Sequence, residues 1–210
     1  MGAGLLAEAG AWAFVTRGRN LWTTLVPVLA VMGVVAVAVR TPAWSPDIDP
    51  WVSAAIGLAS GVVMYLATRA AVLVLSRWPT FRRHAVELYA RRGGLSLGAA
   101  LGLSLGVSAL GEELFWRGLF QAELDSALDG RTAAAVLTWA ALVLANLPSA
   151  NLAVVAGAMV GGALWAGLAW WSGGVLASLA CHLVWTGAMI AFPAVEEEDV
   201  ARDRSGGRNP

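Results

Sequence analysis

The sequence predicts an all-α protein: a polytopic transmembrane helix bundle of about six spans with an N-terminal interfacial helix. Three observations predict it. Hydrophobic residues make up 58% of the 210-residue chain and charged residues 13%, against about 25% charged in an ordinary soluble domain, too few to cover a folded surface in water. Apolar runs of about the 20 residues that a bilayer core requires recur along the chain. Few charges fall within those runs; the rest lie in the segments between them and at the two ends of the chain. The length suits one domain. A formal net charge of zero offers no basic footprint, so no nucleic-acid partner is expected.

Taken in order, residues 1–20 read as an interfacial helix, because their charges follow a short apolar run instead of preceding it as in a signal peptide. Residues 21–192 form the bundle, with spans expected at 21–39, 51–76, 95–120, 133–147, 153–172 and 175–192. The segment 40–50 ("RTPAWSPDIDP") reads as a Pro-rich loop, 77–94 as a basic loop and 121–132 as a short acidic connection. "PSAN" (148–151) and "SGG" (172–174) read as tight turns that make the last three spans antiparallel neighbours. Residues 193–210 form a polar tail expected to be disordered.

Arginine placement orients the bundle, and all fourteen basic residues are arginines. Arg77, Arg82, Arg83, Arg91 and Arg92 share the 77–94 segment, while the opposite loops hold Arg40 and Arg131. Cytoplasmic loops carry the excess of basic residues, so both termini are expected in the cytoplasm and the protein in the cell membrane. The single Cys181 forms no internal disulfide. Gly94, Gly98, Gly102 and Gly106 recur every four residues, and Gly157 and Gly161 repeat the spacing. Such strips let a second backbone approach closely, so the reading expects them to clamp the bundle.

Against this background residues 111–120, "GEELFWRGLF", place two glutamates and an arginine well inside a span. Each ionised side chain at the bilayer centre costs about 2.5–3.5 kcal/mol on insertion scales, so the three must face the bundle interior and be partly paired. Glu113 and Arg117 are four apart on one helix face and form an expected ion pair. Glu112 lies about 100° away from Glu113 around the axis and has no local partner. A buried carboxylate of this kind suits a general base or acid. Other polar groups fall in the last spans: Asn146 before Pro148, and Ser178, His182 and Thr186 on one face at four-residue spacing. Arg69 is expected to snorkel to the cytoplasmic side and His84 to be solvated.

The motif Glu-Glu-x-x-x-Arg in "EELFWR" (112–117), followed by Asn146 and then by intramembrane His182, resembles the CPBP family. These are the CAAX prenyl protease and bacteriocin-processing enzymes, also called Abi proteins. The resemblance covers residues 95–192 and implies a helical intramembrane endopeptidase acting on a membrane-associated peptide or protein, with membrane lipid as its surroundings. By position it makes Glu112 the glutamate that activates water, with Glu113 and Arg117 completing the first motif. The second motif, Phe-x-x-x-His, is matched by "LVLAN" from Leu142 to Asn146, and the third, His-x-x-x-Asn or Asp, by "HLVWT" from His182 to Thr186. The implied catalytic set is Glu112, His182, Asn146 and Thr186. Asn146 stands where the family has a histidine and cannot take up a proton, which weakens the set. Thr186 keeps one hydroxyl donor for an oxyanion.

The family chemistry has been described both with a metal and with glutamate alone. Catalytic zinc takes three protein ligands and a water; Glu112 and His182 are credible donors here, Asn146 and Thr186 poor ones. No cofactor is therefore expected, and zinc is disfavoured. Glu112 is read as the base for a water held by Asn146, with His182 and Thr186 facing the oxyanion. Two other readings use the same residues. One is an impaired family member that binds peptides or serves an immunity-type role. The other is a proton-coupled transporter relaying protons between Glu112 and His182, against which the sequence shows no inverted repeat.

Overall fold

The computed structural model describes residues 2–195, and all its regular structure there is helical. The expected tail falls, from residue 196 onward, outside the described residues. Eight helices follow one another: α1 (Gly2–Thr16), α2 (Leu21–Val39), α3 (Pro50–Leu75), α4 (Pro79–Ala90), α5 (Leu97–Leu128), α6 (Arg131–Asn146), α7 (Leu152–Ser172) and α8 (Leu176–Ala191). Among the described residues, five segments are long and apolar enough to cross a membrane: α2, α3, α5, α6 with its 3₁₀ extension to Ser149, and α7. The sixth expected span, α8, has 16 residues, about 24 Å at 1.5 Å per residue, and packs most extensively against α3.

The burial pattern suits lipid outside and polarity inside. Val34, Val63, Leu66 and Leu73 are exposed, whereas Glu8, Glu113, Arg117 and His182 are buried. The helix starts follow capping chemistry. Asn20 Oδ1 accepts from Trp22 N at 2.8 Å, and Asp49 Oδ1 accepts from Trp51 N at 2.9 Å, with Pro50 at the first helical position. The 40–49 loop folds back over the α7–α8 turn: the Ala43 and Trp44 carbonyls accept from Val175 N and Leu176 N, each at 2.9 Å, and so cap α8.

Four expectations are corrected. The 77–94 segment is not a loop but contains α4, which buries Phe81, Ala85 and Val86 and exposes Arg82 and Arg83. Apolar residues at three- and four-residue spacing make an amphipathic helix too short to read as a span. His84 on α4 is not merely solvated: its Nδ1 accepts from Leu152 N at 3.0 Å and caps α7. The 121–132 connection is mostly the last turns of α5, which run to Leu128 and end where Asp129 turns left-handed at φ 49°. Glu123 there pairs with Arg40 at 2.6 Å.

The glycine strip is the fourth correction. A Cβ added at Gly94, Gly98, Gly102 or Gly106 would meet nothing within 4 Å, so no backbone packs on them. The close approaches lie elsewhere. A Cβ at Gly33 would stand 2.8 Å from Gly111 Cα, and one at Gly61 would stand 2.7 Å from the Cys181 carbonyl. Gly57 lies against the Ala177 carbonyl in the same way. Gly33–Gly111 therefore brings α2 onto α5 beside the two glutamates, and Gly57 and Gly61 seat α8 against α3.

Candidate active site

The site is assembled where α5 departs from regular α-helix. Ser104–Ala109 and Leu114–Gln121 are π-helical, and the four α-helical residues between them, Leu110–Glu113, carry both glutamates. Such widened turns recur at functional sites. Downstream, Phe115, Trp116 and Phe120 form a buried aromatic cluster that fixes the inner face of α5.

Glu113 lies at the centre of the charged cluster. Its Oε1 stands 3.2 Å from Arg117 Nη1, and neither side chain is exposed. The same oxygen is 2.9 Å from His182 Nδ1 on α8. A carboxylate already paired with a guanidinium can only accept, so Nδ1 carries the hydrogen and Nε2 is turned to the opposite side. There Nε2 stands 3.8 Å from Glu112 Oε2. Glu112 keeps 19% side-chain exposure while Glu113 has none, so the free carboxylate can be reached and the paired one cannot.

The ring is held from a third side. Trp165 of α7 stacks on His182 with centroids 3.7 Å apart and planes 18° apart. The Arg117 guanidinium lies 5.4 Å from the Trp165 ring centre, a cation–π geometry. Gln121 Nε2 donates to the Ala166 carbonyl at 3.2 Å and ties α5 to α7. Arg69, in contrast, stays outside the cluster and donates to Tyr65 Oη at 3.2 Å.

The polar atoms of Asn146 and Thr186 are engaged to different degrees. Asn146 Nδ2 donates to Glu8 Oε1 at 2.8 Å and to the Leu142 carbonyl at 3.0 Å, so both amide hydrogens are taken. Thr186 Oγ1 is buried without a hydrogen-bond partner, on the wall of an apolar groove of about 920 Å³ between α3, α4, α7 and α8. Glu8 is the residue that sequence reasoning missed. It is fully buried on α1, and its other oxygen accepts from Trp116 Nε1 at 2.9 Å. Burial pushes its carboxyl up to about 7, against its two hydrogen bonds and Arg117. The available signal was one acid in an otherwise apolar stretch, "GAGLLAEAGAWAF".

Residues 94–188 match the family model described as Rce1-like, type II CAAX prenyl endopeptidase Rce1-like. Over this stretch the chain is similar to CAAX-type proteases. No curated protein and no solved structure matches it. The matched stretch includes Glu112, Glu113, Arg117, Asn146, His182 and Thr186, and it leaves out α1 with Glu8. Several apolar helices long enough to span, together with the similarity to a membrane protease family, support an integral membrane protein.

Proposed function

We propose that the chain is an intramembrane endopeptidase of the CAAX-processing type, in which Glu112 activates water to hydrolyse a peptide bond of a membrane-associated substrate. One observation carries this reading: Glu112 Oε2 and His182 Nε2 face each other at 3.8 Å inside the bundle, with the imidazole braced from behind by Glu113 at 2.9 Å.

The chemistry follows from those positions. Glu112 takes a proton from the attacking water and returns it to the leaving amine. The carbonyl oxygen becomes an oxyanion, and His182 donates to it from Nε2. To donate there the ring must be protonated on both nitrogens, and Glu113 supplies the counter-charge. Thr186 Oγ1, one turn along α8 and unpartnered, adds a second donor. The groove of about 920 Å³ that reaches Thr186 supplies apolar walls for the lipid-embedded part of a substrate. The arginine distribution favours cytoplasmic termini and a cytoplasmic face for α4.

A zinc ion fits these residues poorly. It asks for three protein ligands, typically Cys, His or carboxylate, and Glu112 and His182 offer two, while Asn146 could add only a neutral amide oxygen. Among the described residues no group of three or more His, Cys, Asp and Glu side chains is arranged to hold a metal ion. The donor set suits a glutamate base.

A second reading is favoured by Asn146, whose amide takes up no proton and whose two hydrogens are already committed. In that reading the chain is an impaired family member that binds membrane peptides or has an immunity-type role. The experiment that separates the two is cleavage of internally quenched peptides, with and without a farnesylated CAAX tail, by the reconstituted protein, with bound metal measured alongside. Cleavage lost in Glu112→Gln and in His182→Ala supports the enzyme; binding without cleavage in all three supports the second reading.

A further inference from the structure

Four acidic and basic side chains are buried among the described residues: Glu8, Glu113, Arg117 and His182. Glu113 and Arg117 brace His182. Glu8 has no part in that bracing, yet it is tied to Asn146, at the position where the family's second motif has histidine.

The contact determines what Asn146 can offer. Its two Nδ2 hydrogens face the Glu8 carboxylate and the Leu142 carbonyl, at 2.8 and 3.0 Å. Turning the amide over would set Oδ1 against the Leu142 carbonyl, which can only accept, so that contact fixes the orientation. Trp116 Nε1 holds the second Glu8 oxygen at 2.9 Å, which fixes the carboxylate from α5, one turn after Glu112. Glu112 and Arg117 are the charged groups within electrostatic reach of Glu8. With Nδ2 fully used, Oδ1 is the one polar side-chain atom that Asn146 keeps for water.

A lytic water has two hydrogens. The base takes one, and an acceptor for the other aims the attacking lone pair. We propose that Glu8 is a positioning residue of the site: acting through Asn146, it locks the amide as a hydrogen-bond acceptor for the water that Glu112 activates. This rests on the endopeptidase reading above. The family's imidazole position is then served by a pair, Asn146 from the matched stretch and Glu8 from a helix outside residues 94–188.

The test uses the full chain in liposomes, an internally quenched peptide ending in a farnesylated CAAX tail, and the variants Glu8→Gln, Asn146→Ala, their double, and Trp116→Phe. Glu8→Gln is expected to lower kcat roughly tenfold, as for a lost hydrogen bond to a charged group, with KM unchanged. In the Asn146→Ala background it should add no further loss. Trp116→Phe removes the other donor to the same carboxylate and should lower kcat in the same direction as Glu8→Gln but by less, with KM unchanged; a kcat equal to that of the unmodified chain would count against the role of Glu8. An equal kcat loss from Glu8→Gln in both backgrounds overturns the proposal.

Should Glu8→Gln alone misfold, Asn146→Asp is compared with Asn146→Asp plus Glu8→Gln, which restores one donor and one carboxylate with roles exchanged. The double is expected to be the more active, and no gain overturns the proposal. Hydrogen exchange of the Asn146 side-chain NH₂, read by NMR in nanodiscs, needs no turnover. It should be slow in the unmodified protein and faster in Glu8→Gln; equal rates overturn the lock. If the unmodified protein cleaves nothing, the endopeptidase reading fails, and the exchange rates still decide the link between Glu8 and Asn146.

Discussion

His182 Nδ1 lies 2.9 Å from Glu113 Oε1, a contact between side chains 69 positions apart in sequence. It joins the first motif on α5 to the third on α8 and turns Nε2 toward Glu112. Glu113 therefore serves two partners with one oxygen, Arg117 along its own helix and His182 across the bundle.

That sharing makes stability and activity separable. Glu113→Gln leaves the Arg117 guanidinium buried without a counter-charge and should destabilise by about 3–5 kcal/mol, seen as a lower melting temperature in detergent. Arg117→Met leaves Glu113 buried with only the imidazole and should also destabilise. The double variant removes both charges and should regain much of the lost stability. It should remain inactive, because a protonated His182 then has no counter-charge. Recovery of cleavage together with stability would contradict the role given to Glu113.

The glycine contacts predict a second contrast. Gly57→Val drives a branched side chain into the Ala177 carbonyl and should separate α3 from α8, lowering stability and abolishing activity. Gly102→Ala meets nothing within 4 Å and should stabilise α5 by about 0.5–1 kcal/mol through helix propensity. Thermal denaturation of the two variants decides it. Equal destabilisation would mean that the α5 strip packs after all.

Asn146→His restores the family residue at the second motif. Its ring N–H takes over the donation to Glu8, and its other nitrogen can accept a proton. Cleavage should rise above that of the unmodified chain. A fall would mean that the amide itself is needed where it stands.

The sequence carried the parts of this site that obey local geometry. The Glu113–Arg117 pair follows from four-residue spacing, and the polar character of Glu112 and His182 within apolar runs marked them as interior. What it did not carry depends on tertiary contact. Glu8 meets Asn146 across 138 positions, and a charge near the start of an apolar helix reads equally well as hydrated. The glycine period in α5 is visible in the sequence, but periodicity does not say which face meets a partner; the seams proved to be Gly33–Gly111 and Gly57–Gly61. Helix α4 was hidden because 12 residues with a basic face resemble a loop when only span-length runs are sought. The π-helical turns around Glu112 leave no compositional trace.

The most direct test of the central claim is a double-mutant cycle on cleavage of the farnesylated, internally quenched peptide by Glu112→Gln, His182→Ala and the pair together. If Glu112 and His182 work on one water and one carbonyl, each single variant should lose about 10²–10⁴-fold in rate, and the double should be no slower than the worse single. Losses that multiply, or singles that cleave as fast as the unmodified protein, would contradict the account.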